Sequence, residues 1–117
     1  MLAALMRACE QMGCFVPTYC AMPDHLHVMF TGLNANSDAW LAMVKFKGIH
    51  GKYLHASGAH WRWQAGFHDH IVRGARDWRE HARYIAKNPV RAGLCREVGE
   101  YPFVGTIGVE WSDVFWS

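Results

Sequence analysis

Two histidines and a tyrosine are the residues of this chain whose types and spacing suit work on a phosphate ester. His25 and His27 stand two apart in the run His25 to Phe30, which reads as a β-strand. Side chains alternate along a strand, so both imidazoles project to one side and Leu26 to the other. Two ring nitrogens on one face can grip one divalent ion. A His-x-His pair on a solvent-facing strand would look the same, so the pair alone leaves both readings open. Tyr84 and Asn88 lie four apart on a predicted helix and share one stripe, with His81 and Asp77 close to it. Trp78, Ala82 and Ile85 form a different stripe, and Tyr84 falls roughly 120° from Trp78 at helical spacing. A tyrosine off the apolar face, beside an amide oxygen able to bind metal, fits a nucleophile with a neighbouring ligand. A tyrosine packing at the rim of a core gives the same pattern. A phenol must lose its proton to attack, and His81 is either a helper in that step or a solvent-facing helix histidine.

The elements that must position these groups can be read from the hydrophobic spacing. Leu2, Leu5, Met6, Cys9 and Met12 recur at helical intervals before Gly13, which predicts an opening helix with that face in the core. Phe15 to Ala21 and His25 to Phe30 flank Met22-Pro23-Asp24, the pattern of a tight β-hairpin. After a polar break, with Ser37 as N-cap, the spacing of Trp40, Leu41, Val44, Ile49 and Tyr53 suggests a second helix despite Gly48 and Gly51. His70 to Arg73 reads as a short strand before Gly74. A third helix runs from Asp77 to Lys87, stopped by Pro89 with Gly93 just beyond. The tail is expected to be irregular or to hold one late strand. There is no repeat or low-complexity linker, so one domain covering 1–117 is expected.

With 117 residues, 51% of them hydrophobic, the chain can bury a core. It has no apolar run of membrane-spanning length, and Arg7 and Glu10 interrupt the N-terminal apolar pattern. A soluble, cytoplasmic protein without membrane partners is the expectation. Cys9, Cys14, Cys20 and Cys95 form no Cys-x-x-Cys pair and read as reduced core thiols. The net charge of +2 says little, but eleven of the twelve basic residues lie between Lys45 and Arg96, against three acids. That segment also holds Trp61, Trp63, Phe67 and Trp78. It suits a phosphate backbone with stacked bases, or simply a solvated basic face.

Met22-Pro23-Asp24-His25-Leu26-His27 resembles the Met-Pro-x-His-x-His signature of the HUH single-tyrosine transposases. Trp63-Gln64 through Arg73 is similar to the Trp-Gln stretch of the REP-associated tyrosine transposases within that group. Tyr84-Ile85-Ala86-Lys87-Asn88-Pro89-Val90-Arg91-Ala92-Gly93-Leu94 resembles their Tyr-Ile-x-x-Asn-Pro-Val-x-x-Gly-Leu, and Tyr101-Pro102-Phe103 their later Tyr-Pro-aromatic segment. The likeness runs in order over roughly residues 15 to 104.

The resemblance implies an α+β, ferredoxin-like or RRM-like fold: an antiparallel sheet with helices on one face, the histidines on a central strand and the tyrosine on a C-terminal helix. It implies His25, His27 and Asn88 as metal ligands and Tyr84 as nucleophile. The metal would be Mg or Mn, although imidazole by itself suits Mn or Zn better than Mg. The implied chemistry is transposition of single-stranded or hairpin DNA through a 5′-phosphotyrosine. Lys45, Lys47, Arg62 and Arg73 would contact phosphates and Trp61 would stack a base. The family usually has a strand before the first helix, and this chain is expected to lack it. That would open an edge on the histidine strand or its neighbour, or leave the pairing to a second copy in a homodimer. Two other classes stay open: a hairpin-DNA binder that does not cut, and a metal-dependent hydrolase of unrelated substrate.

Overall fold

Pro17 shapes the sheet. The computed structural model describes residues 2–22, 25–34, 36–56, 67–72 and 78–115, with side chains described outside 50–56 and 67–72. The elements are α1 (Leu2–Met12), β1 (Cys14–Ala21), β2 (Leu26–Gly32), α2 (Ala39–Ala56), β3 (Phe67–Val72), α3 (Arg79–Ala86), α4 (Asn88–Arg91), β4 (Val104–Ile107) and α5 (Trp111–Phe115). The strands form one sheet in the order β3-β2-β1-β4. Pro17 is fully buried in β1, an interior strand. It has no N–H to give either ladder, and both pairings of β1 slip between residues 15 or 16 and Tyr19. The slip exchanges the faces. Cys14 and Val16 before it, and Tyr19 after it, join the core under α1 and α2, which leaves Cys20 on the opposite side.

The fold is α+β, with β1 antiparallel to both β2 and β4, as the resemblance implies. β3 departs from that pattern and runs parallel to β2. Both β1 and β2 are therefore paired on each side. The edge expected to lie open on the histidine strand is occupied within the chain, with no demand on a second copy at that place.

One face of the sheet packs Leu26, Val28 and Phe30 against Ala4, Leu5, Ala8 and Cys9 of α1 and Ala42, Met43 and Phe46 of α2. The alanines let the helix backbones approach closely. Helices were expected on one face of the sheet; α3 and α5 also cover the second, where Ala82, Ile85 and Val114 cluster with Cys20 and Met29. Two further details differ. In α2 the buried stripe is Ala42, Met43 and Phe46, while Trp40, Leu41 and Val44 are exposed; on α1, Leu2 and Met6 are exposed too. The cap of α2 is Asp38, whose Oδ1 accepts from the Leu41 N–H at 2.9 Å. Ser37 instead ties the loop to Gly13, its Oγ accepting from the N–H groups of Leu33 and Asn34. Gly13 ends α1 at φ 63°, a conformation costly for any residue with a Cβ. Among the described residues, no helix is long and apolar enough to cross a membrane.

Gly105 sits opposite Tyr19 in the β1–β4 ladder, and the tyrosine ring lies across it. A Cβ there would meet Tyr19 Oη at 2.5 Å and Cζ at 2.7 Å. Tyr19 is buried and has little room to retreat, so Gly105→Ala is expected to lose about 1–3 kcal/mol. Urea unfolding reads this out, and an unchanged midpoint would mean that the ring moves aside freely.

Cys9, Cys14, Cys20 and Cys95 are all free thiols, and the first three are buried. Burial, helped by the neighbouring Cys14 and Glu10, pushes the Cys9 thiol up from 9.0 to about 12. Burial, with Cys95 nearby, pushes Cys20 up to about 11. In the unfolded chain these protons leave at lower pH than in the native state. Stability is therefore fully present below about pH 9 and is lost as pH rises through 11 and 12. The expected urea midpoint is flat up to pH 9 and then falls, with a shallower fall in Cys9→Ala.

Candidate metal and nucleophile site

The hairpin that carries the histidines is held at the end where β1 passes into β2. The Met22 N–H donates to the His25 carbonyl at 2.8 Å, which joins the end of β1 to the start of β2. Tyr101 donates from its hydroxyl to the Ala21 carbonyl at 2.6 Å, and the Ala21 N–H donates to the Phe103 carbonyl at 2.9 Å. The Tyr101-Pro102-Phe103 segment thus clamps the end of β1. Burial, and then the nearby Cys20 and Cys95, raise the Tyr101 hydroxyl above its ordinary value, which keeps it a donor.

His27 pairs with Cys20 across the ladder and alternates with Leu26 and Val28, so it lies on the face that α3 covers. His25 is beside it. The two rings meet edge-on, with centroids 4.8 Å apart and planes at 79°. Nitrogens bound at about 2.1 Å to one ion put the ring centres roughly 5 Å apart when the ligands are adjacent. The pair fits one divalent ion on that measure. Among the described residues no group of three or more His, Cys, Asp or Glu could hold a metal. The pair would need amide, phosphate or water oxygens to complete a shell.

Helix α3 places the tyrosine. Trp78, just before it, packs edge-on against Phe15 at 5.5 Å near the start of β1, and Ile85 joins the cluster of Cys20 and Met29. The helix therefore advances along β1 toward the hairpin that bears the histidines. Ala82, Ile85 and Ala86 face inward and Tyr84 faces out, with 61% of its surface exposed. On the same helix Arg79 and Arg83 donate from Nε to the Asp113 carbonyl (3.0 Å) and the Val114 carbonyl (2.6 Å). These two cations fasten α5, a structural use for part of the basic segment.

Helix α3 ends at Ala86, about where Pro89 was expected to stop it, and a short further helix, α4, follows. The break falls at Lys87, and Pro89 lies in the first turn of α4, where its missing N–H costs nothing. Asn88 starts that turn. Arg91, at its end, lies over the Tyr84 ring with its guanidinium carbon 3.9 Å from the centroid. Its Nη2 donates to the Tyr84 carbonyl at 2.7 Å and also to Asn88 Oδ1. Tyr84, Asn88 and Arg91 thus form one contiguous group at the C-terminal end of α3.

Sequence reasoning selected Tyr84 and Asn88 and passed over Arg91. The signal was present in its spacing, three after Asn88 and seven after Tyr84, which is one helical stripe. Lys45 and Lys47 lie on α2, in the layer on the other side of the sheet from α3, and are half-buried. The structure does not bring them to the tyrosine. Trp61, Arg62 and Arg73 lie outside the described residues. His68 occupies the β3 position in register with His27, and His70 the one beside Met29.

Fold and site together define an α+β protein with a histidine pair on one sheet face and a solvent-facing tyrosine on the helix that packs there. Two curated proteins are similar to the chain. One, the REP-associated tyrosine transposase of Escherichia coli, is 30% identical over 88 residues, 75% of this chain and 52% of its own length. The other, from Haemophilus influenzae and provisionally named as the same kind of transposase, is 26% identical over 86% of this chain and 64% of its own. The chain is a REP-associated tyrosine transposase-like protein, and it spans between half and two thirds of the length of these relatives. No family model matches it, and no solved structure does.

Proposed function

We propose that this chain is a metal-dependent DNA transposase domain that cuts and rejoins single-stranded or hairpin DNA through a 5′-phosphotyrosine. The observation that carries the reading is the exposed Tyr84, turned off the buried stripe of α3, on the sheet face that bears the edge-on His25–His27 pair. In the cutting step Tyr84 Oη forms a bond to phosphorus and the bond from phosphorus to the 3′ oxygen breaks. The tyrosine proton is balanced by the proton gained on the released 3′-hydroxyl. A 3′-hydroxyl from another strand reverses the step and rejoins the DNA, so the phosphoester energy is kept and no nucleotide cofactor enters. His25 and His27 hold a divalent ion, Mn or Mg, with Asn88 Oδ1 as a third ligand from the α3–α4 junction. When bound, that ion neutralises charge on the phosphate oxygens. Aromatic and basic side chains orient the strand, with Trp61, Arg62 and Arg73 as contacts along its flanks; Lys45 and Lys47, on the opposite layer, take no part at the tyrosine. The protein acts in the cytoplasm, on nucleoid DNA, as a single domain.

Incubation with hairpin-bearing single-stranded DNA and manganese, followed by a denaturing gel, tests the reading. A covalent protein–DNA band is expected. DNA that binds and is returned intact with every divalent metal would mean binding without cleavage.

A further inference from the structure

We propose that Arg91 is a phosphate-binding residue of this centre, held on Asn88 and Tyr84 until DNA takes it. The inference rests on the reading of Tyr84 and Asn88 given above. Arg91 is solvent-exposed, and its guanidinium is nonetheless held by three contacts: the Tyr84 ring, the Tyr84 carbonyl and Asn88 Oδ1. Both hydrogen bonds leave from Nη2, so three of its five N–H groups, those on Nε and Nη1, have no acceptor among the described residues. A planar fork with open donors, stacked on the phenol that is to attack, is the geometry that recognises a phosphodiester.

The contact with Asn88 gives this arrangement a direction. The oxygen that accepts from Arg91 is the one that would serve the metal. A guanidinium on that oxygen opposes a dication at the same place, since like charges a few ångströms apart repel. A DNA phosphate carries the opposite charge and attracts both. Without DNA, Arg91 occupies Asn88 and weakens metal binding; with DNA, the phosphate draws the guanidinium away and Asn88 turns to the metal. DNA and metal therefore bind cooperatively, and each raises the affinity of the other by the same factor.

Two titrations on the full chain test this, using Arg91→Gln with Arg91→Lys as the charge-retaining control. In a Tyr84→Phe background, binding to a hairpin with single-stranded flanks of random sequence is measured from 50 to 200 mM salt. Arg91→Gln is expected to lower the slope of log K against log salt by about 0.7, the value of one single-strand phosphate contact, and Arg91→Lys to keep it. Without DNA, Arg91→Gln is expected to bind Mn2+ several-fold more tightly than wild type, a gain that loss of a structural contact would not produce. An unchanged slope, or Mn2+ binding that is equal or weaker, overturns the proposal. Neither readout needs cleavage, so failure to form an adduct would count against the transposase reading and leave this one standing on its own numbers.

Discussion

Tyr84→Phe is expected to abolish covalent attachment to DNA while leaving the protein folded and able to bind the same DNA. The loss should be on the order of 10³-fold or more, because the reaction has no second route once the attacking oxygen is gone. The other side of the prediction is structural. With 61% of Tyr84 exposed and its neighbours Ala82, Ile85 and Ala86 filling the core, removing one hydroxyl at the surface should move stability by no more than about 0.5 kcal/mol. Arg91 would still stack on the phenylalanine ring. A gel of adduct yield, set beside a thermal melt and a binding isotherm, separates the lost nucleophile from a damaged fold. A melt lowered together with the yield would mean that Tyr84 is a packing residue at the rim.

The second large effect is expected at the histidine pair. His25→Ala and His27→Ala should each weaken Mn2+ or Co2+ binding by on the order of 10²-fold, since even outer contacts to a metal centre are worth 10- to 100-fold. The pair meets at 4.8 Å, so both rings would answer to one ion. Once one is lost, the other holds little on its own. The double variant should therefore fall well short of the product of the single effects, the mark of two groups that act as a unit. Isothermal titration of the wild type, both singles and the double gives the cycle directly. Independent, multiplying effects would assign the two histidines to different sites, and no effect from either would remove the metal from the account.

Much of this centre was legible in the chain because it depends on short-range spacing. Strand spacing brought His25 and His27 together in the reading although β2 starts only at Leu26 and His25 stands just before it, and helical spacing separates Tyr84 from Ala82 and Ile85 in the same way. The hairpin followed from the apolar runs on either side of Met22-Pro23-Asp24. The features that escaped are set by long-range packing. In α2 two apolar stripes compete, and only the alanine-lined approach of α1 decides that Ala42, Met43 and Phe46 go inward while Trp40 and Leu41 stay out. That α3 and α5 cover the second sheet face depends on the slip at Pro17, which turns Cys20 to that side, and on Arg79 and Arg83 reaching the end of α5. Pro89 marked the end of α3 but not the start of α4, because proline ends one helix and begins the next with equal ease. Nothing in local spacing decides which side of the break a proline will take.

The most direct test of the central claim is to digest the covalent adduct with nuclease and protease and locate the remaining nucleotide by mass spectrometry. The account predicts a single modified peptide carrying its 5′-nucleotide on Tyr84, and no such peptide when Tyr84→Phe is treated alike. A nucleotide found on any other residue, or an adduct that persists in the variant, would contradict it.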